Sequence, residues 1–251
     1  ALAPTAATPE AEACAAWLRS RGLDPAEVAR LDLARALPPA SGEAADLADE
    51  LAAERLAEAA QHGGNPRAAL DAAAREARRR DPGAIVRVLA LLPRWAAMGR
   101  RSWRESGHLL LVQGWSAAGA LEGLHARLVR GESERKAIWP TGYQSRGLLL
   151  ANEPARRLLA GQGEGEPPGV AIVEGVPDWL TACCCRPELA IFGVTAGAWT
   201  PDAAARIPDG ARVVIWTHDD AAGEKYAGEI RKSFTGRKVD LRRGRWPGEK
   251  A

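Results

Sequence analysis

From Val170 to Arg243 the chain alternates in a way that few folds can accommodate. Short apolar runs of strand length, "VAIV" (170–173), "LAIFGV" (189–194), "RVVIW" (212–216) and "RKVDLRR" (237–243), are separated by segments of helical composition. Those segments are "VPDWLTACCC", "TPDAAARI" and "AGEKYAGEIRKSF". Near-continuous apolar strands are buried on both faces, and helices of this length supply the cover by crossing from one strand to the next. The pattern predicts βαβ units and a doubly wound, mostly parallel α/β sheet. Helix starts are marked locally: Thr200 is placed as an N-cap with Pro201 at the first helical position.

The remainder reads differently. Residues 1–91 are expected to be helical, with Asp24 as N-cap, Pro25 at the first position and Glu27 at the third of one helix. Two Ala-rich stretches, 41–64 and 65–83, are expected to form an inserted helical hairpin. The texture changes near Pro93. "HLLLVQGWSAAGALEGLHARLV" (108–129) reads as strand, turn, strand, and "ERKAIWPTGYQSRGLLLA" (134–151) as short extended pieces. Residues 92–165 are therefore expected to be a basic α+β subdomain. The Gly/Pro/Glu stretch "GQGEGEPPG" (161–169) is the expected boundary before the α/β domain at 166–251.

Net charge does not assign a partner, because 34 Lys and Arg nearly balance 32 Asp and Glu. Distribution is more telling. Arg94, Arg100, Arg101, Arg104, Arg127, Arg130, Arg135, Lys136, Arg146, Arg156 and Arg157 are interleaved with Trp95, Trp103, Trp115 and Trp139. Guanidinium groups neutralise phosphates and indole rings stack on bases, which is the chemistry of a single-stranded nucleic-acid surface. An Arg-rich solvated face over a Trp-containing core is the competing reading. Cys14 and the run Cys183, Cys184, Cys185 have neither disulfide-framework nor zinc spacing and are expected to be small apolar side chains in a reducing compartment. No run reaches the roughly 18–20 apolar residues of a membrane span. The first residues have no basic n-region, so a cytoplasmic protein without membrane partners is expected.

Chemistry is expected where the strands end. The first strand of the alternating region runs into Glu174 and Gly175, with Asp178 a helical turn later. The third runs into His218, Asp219 and Asp220, then Gly223. In a parallel sheet these carboxyl ends share one edge, where ligands bind. Clustered carboxylates are tolerable mainly when a cation neutralises them, and hard oxygen donors select Mg²⁺ or Mn²⁺. Glu174, Asp178 and Asp220 are the candidate catalytic and metal-binding acids, with Asp219 and His218 as further candidate ligands. Taken singly, Glu-Gly is an ordinary turn and Asp-Asp an ordinary helix cap.

Together these residues resemble a known family. "VAIVEGVPDWLTA" is similar to the first motif of the TOPRIM domain, and "VVIWTHDDAAGEKYA" to its second, a strand followed by Asp-x-Asp-x-x-Gly and a helix. "FGVTAGAWTPDAAARI" resembles the intervening segment in bacterial DnaG-type primases. "WLRSRGLDPAEVARLDLA" (17–34) and the 108–151 region resemble the start and the basic half of the primase core. The resemblance covers most of 17–34 and 94–243 and leaves 41–91 unmatched.

It implies a TOPRIM-type fold and an enzyme that synthesises RNA primers on single-stranded DNA from ribonucleoside triphosphates, by Mg²⁺- or Mn²⁺-dependent nucleotidyl transfer. It also implies a setting such as a phage or mobile element and a replicative helicase as partner. Arg127, Lys136 and Arg146 fall on basic positions for template and nucleotide, and Arg101, Arg104 and Lys225 join them as candidates. Two departures stand out. His218 occupies the first acid of Asp-x-Asp, and the acid expected after the fourth strand has no counterpart nearer than Glu249. A catalytically weakened TOPRIM module that binds nucleic acid or a replication partner, or a TOPRIM nuclease, is the alternative.

Overall fold

The computed structural model describes residues 8–37, 97–98, 101–140, 146–162, 169–195 and 199–244. The alternating region folds as its pattern predicts. Strands β8 (Gly169–Glu174), β9 (Ala190–Val194), β10 (Arg212–Trp216) and β11 (Asp240–Arg243) pair in parallel. The sheet order is β11-β10-β8-β9-β7, and the two-residue edge strand β7 (Leu150–Ala151) runs antiparallel to β9. The doubly wound α/β reading therefore holds, and the sheet draws one strand from upstream of residue 166.

Helices cover both faces because every strand alternates its side chains. In β8, Val170 and Ile172 enter one core while Ala171 and Val173 enter the other. The Val170 side is closed by α4 (Glu153–Leu159), α6 (Pro201–Ala205) and α7 (Ala221–Ser233). The Ala171 side is closed by α5 (Val176–Cys185), whose Trp179 and Leu180 are fully buried. The helix starts carry the chemistry expected of them: Thr200 Oγ1 accepts from Ala203 N, Asp24 Oδ1 from Ala26 N, and Asn152 Oδ1 from Ala155 N.

The basic region contributes a second sheet of order β1-β4-β5-β6, all antiparallel. Its strands are β1 (Arg35–Ala36), the hairpin β4 (His108–Trp115) and β5 (Leu121–Leu128), and β6 (Ala137–Ile138). A separate short ribbon pairs β2 (Ala97–Met98) with β3 (Arg101–Ser102), which leads into α3 (Trp103–Ser106). A bridge from Trp115 to Leu149 carries the hairpin sheet toward β7 and so joins the two sheets.

Helices α1 (Pro9–Ser20) and α2 (Pro25–Arg30) pack through Cys14, Leu18 and Val28 into the cluster that holds Leu109, Leu110, Ala171 and Trp179. One core thus spans the first helices, the hairpin and the parallel sheet. Cys14 and Cys183 are buried, Cys184 is half-buried and Cys185 is exposed; all four are free thiols. Burial pushes the Cys14 thiol up to about 12. Among the described residues no helix is long and apolar enough to cross a membrane. The helices expected at 41–64 and 65–83, together with Arg94, Trp95, Arg100 and Glu249, lie outside the described residues.

Candidate active site

Adjacency of β8 and β10 decides what meets at the carboxyl edge of the parallel sheet. Val173 of β8 stands opposite Trp216 of β10 in the ladder, so Glu174 and His218 leave the sheet side by side. Gly175, with φ of 79°, turns the chain directly from the strand into α5. Glu174 Oε2 accepts the backbone N–H of His218 at 3.2 Å. The His218 ring reaches the other way, with Nε2 3.1 Å from Asp178 Oδ2. Glu174, Asp178 and His218 are thereby brought together.

Asp220 takes the role of helix cap: its Oδ1 accepts the Gly223 N–H at 2.8 Å and starts α7. Asp219 is exposed on the same turn. Gly223 is packed against the His218 backbone. The His218 carbonyl oxygen also accepts from an Arg243 guanidinium nitrogen at 3.2 Å, and Arg243 pairs with Glu224. The turn carrying His218 is therefore held by β11 and α7 as well as by Glu174.

A cavity of about 360 Å³ opens beside Glu174 and is walled by both halves of the protein. Glu174, Thr195 and Tyr226 come from the parallel-sheet side, and His125, Arg127 and Trp139 from the hairpin side; Gly175, Val176 and Val194 complete an apolar flank. Period-two alternation in β5 explains the hairpin contribution. His125 and Arg127 point to one face, while Ala126 between them enters the core.

Trp139 is seated by a pair of glycines. Gly114 and Gly123 stand directly opposite each other in the β4–β5 ladder. A Cβ on Gly114 would meet the Trp139 ring at 2.7 Å, and one on Gly123 would meet it at 3.1 Å. The indole rests against this bare stretch of hairpin and tilts over His125, with ring centroids 4.8 Å apart.

The cavity is electrostatically specific. Burial, reinforced by the nearby Arg127 charge and by His108, holds the His125 imidazole down to about 4, so it is neutral at pH 7. Burial and the neighbouring Arg21 also hold the Arg127 guanidinium below its ordinary value. Arg127 and Arg21 both lie over the Trp17 ring, at 5.7 and 5.5 Å from its centroid. Three buried polar atoms of cavity-lining residues have no hydrogen-bond partner among the described residues: His125 Nδ1, Arg127 Nε and Thr195 Oγ1.

The other basic candidates are dispersed. Lys136 is exposed just before β6, Arg146 is exposed ahead of β7, and Lys225 is exposed on α7. Arg104 lies on α3 in an ion pair with Glu10 of α1, both side chains largely buried. Arg101 lies in β3. His125, Thr195 and Tyr226 were not singled out from sequence. The strand-end argument applied to β9 would have found Thr195, and the i, i+2 relation to Arg127 would have found His125.

Mg²⁺ is commonly held through one or two carboxylates with water completing its shell; Glu174, which accepts from His218 N, and Asp178, which meets the His218 ring, are the carboxylates at this edge that could take that role. Among the described residues no group of three His, Cys, Asp or Glu is arranged to hold a metal ion.

Comparison with known proteins places the fold. Neither a family model nor a curated protein matches the chain. Solved structures do. A DnaG catalytic core is 17% identical with a TM-score of 0.55, matching 97% of this chain and 68% of that one. A DnaG primase catalytic domain bound to single-stranded DNA is 17% identical with a TM-score of 0.53, over 97% of this chain and 67% of that one. The RNA polymerase domain of Mycobacterium tuberculosis primase DnaG is 16% identical with a TM-score of 0.52, over 95% and 70%. The chain has the fold of DnaG primase catalytic cores, including its parallel sheet.

Proposed function

We propose that this chain, which shares its fold with DnaG primase catalytic cores, is a primase-like nucleotidyltransferase that makes RNA primers on single-stranded DNA from ribonucleoside triphosphates. The observation that carries the reading is the cavity in which an acid at the edge of the parallel sheet, Glu174, faces a guanidinium of the basic hairpin, Arg127. Phosphoryl transfer needs little more from a protein than positioned charge: cations against the phosphates and carboxylates where metal and nucleophile meet.

In this reading Glu174 and Asp178 would hold Mg²⁺ or Mn²⁺, and the ion would neutralise developing phosphate charge. Asp219, Asp220 and His218 stand at the same edge. Arg127 would take a phosphate oxygen; its guanidinium is already partly desolvated and lies next to Arg21, so an anion relieves both costs. Lys136 and Arg146, exposed on the basic half, would follow the template backbone, with Arg101, Arg104 and Lys225 as further candidates.

The test is primer synthesis on single-stranded DNA with labelled ribonucleotides, in Mg²⁺ and separately in Mn²⁺. Glu174→Ala is expected to abolish product and Arg127→Ala to reduce it strongly. Product unchanged in Glu174→Ala would overturn the assignment. A second reading, a nucleic-acid-binding module with weakened catalysis, is favoured by one contact: the His218 ring occupies Asp178. On that reading His218→Asp gains activity while single-stranded DNA binding of the wild type is already intact.

A further inference from the structure

The cavity beside Glu174 contains more recognition chemistry than a phosphate site requires. His125 is 4% exposed, yet its Nδ1 has no partner among the described residues. Thr195 Oγ1, on the opposite wall, is likewise buried without a partner among the described residues. A buried polar atom left unpaired costs folding free energy, and an apolar side chain of similar shape would avoid that cost. Both belong to residues that line the same cavity, and a ligand that displaced the side chains slightly on entering would satisfy them.

The surroundings restrict what that partner is. The walls carry aromatic rings from both halves, Trp139 from the hairpin side and Tyr226 from α7. The Gly114–Gly123 pair, which admits the indole against the hairpin, fixes the position of Trp139. A neutral imidazole and a hydroxyl can each donate or accept, which suits a hydrogen-bonding edge rather than an anion. With Arg127 assigned to a phosphate and Glu174 to a metal, the two neutral groups are left for an uncharged part of the same ligand. A volume of about 360 Å³ suffices for a small planar ligand.

We infer that this cavity is a base-recognition site: it takes the nucleobase of a single mononucleotide against Trp139, with His125 Nδ1 and Thr195 Oγ1 hydrogen-bonded to the base edge. The protein itself then discriminates among nucleotides before any template pairing occurs. The inference rests on the nucleotidyl-transfer reading only in assuming that a nucleotide enters this cleft. It adds two specificity-determining side chains, His125 and Thr195, that do not take part in the chemistry.

The test is binding rather than synthesis, so the two readings fail separately. The full chain is titrated with each of the four ribonucleoside 5′-monophosphates in EDTA and without template, by calorimetry and by saturation-transfer NMR. Ribose 5-phosphate is the arm that isolates phosphate binding. Base protons are expected to receive saturation. The four affinities are expected to differ by roughly tenfold between best and worst, a discrimination shared by the two hydrogen bonds to the base edge.

His125→Leu and, independently, Thr195→Val should each narrow that spread to roughly threefold, since each removes one of the two hydrogen bonds that share the discrimination. Melting of the nucleotide-free His125→Leu variant should be unchanged or higher, because it removes an unpaired buried polar atom. The inference is overturned if no nucleotide binds saturably, if ribose 5-phosphate binds as well as the nucleotides, or if the spread survives Thr195→Val. Primer synthesis without base-selective binding would sink this inference and leave the proposed function standing. Base-selective binding without primer synthesis would do the reverse.

Discussion

Gly223→Ala decides whether the turn bearing His218 is packed as tightly as the structure describes. Helix propensity alone predicts stabilisation, because Ala is favoured over Gly in a helix by about 1 kcal/mol. Sterics predict the opposite. A Cβ at Gly223 would lie 2.0 Å from the His218 carbonyl oxygen, 2.8 Å from its carbonyl carbon and 2.9 Å from its nitrogen. All three are backbone atoms that cannot rotate away, so the start of α7 must retreat. Retreat stretches the 2.8 Å bond from Gly223 N to Asp220 Oδ1. Loss of such a cap costs about 1 kcal/mol, and overpacking costs roughly 1–3 kcal/mol.

Set against the propensity gain, the net expectation for Gly223→Ala is destabilisation by roughly 1–3 kcal/mol. Gly228 lies in the same helix, and a Cβ there would meet nothing within 4 Å, so Gly228→Ala should gain up to about 1 kcal/mol. Denaturant unfolding of both variants, with m-values checked for constancy, reads the two shifts directly. Opposite signs are required. A Gly223→Ala protein as stable as the wild type would refute the packing argument and with it the fixed position of His218.

Acid should destabilise the fold through His125. Its folded value of about 4 lies below the unfolded value of 6.5, so the unfolded chain binds more protons between these limits. Stability is therefore complete above pH 6.5 and falls as pH drops toward 4, by about 3 kcal/mol in all; His125→Leu should flatten that slope in urea titrations across the window. Gly114→Ala drives a Cβ into the Trp139 ring at 2.7 Å and should cost roughly 1–3 kcal/mol while shifting indole fluorescence; an unchanged spectrum would contradict the glycine seat. Asn152 caps α4 through Ala155 N, accepts from Ile191 N at 2.9 Å and donates to Leu189 O at 2.8 Å. Asn152→Ala leaves those buried groups unpaired and should cost about 2–4 kcal/mol by thermal unfolding. Asn152→Asp keeps both acceptor roles but sets a buried carboxylate oxygen against the Leu189 carbonyl, so it should not recover that loss at neutral pH.

What could be read without the structure was local. Strand period, helix start chemistry at Asp24 and Thr200, and the hairpin over 108–129 depend on residues a few positions apart, and each appears where its pattern placed it. The parallel sheet followed because apolar strands separated by helices have few other ways to bury both faces. The strand-end rule placed Glu174, Asp178 and Asp220 at one edge; the adjacency of β8 and β10 brings those strand ends together, with His218 rather than Asp220 in contact with the other two.

Other features depended on side-chain direction and on which strands pair. Only the tertiary structure sent the His218 ring to Asp178 and gave the parallel sheet an antiparallel edge at Leu150; it also bore out the helix-cap reading of Asp220. It alone put His125 and Trp139 across a cavity from Thr195 and Tyr226. Those residues come from separate sheets and helices, and their meeting is set by the shared core that docks the hairpin on the parallel sheet. Local propensity carries no information about that docking.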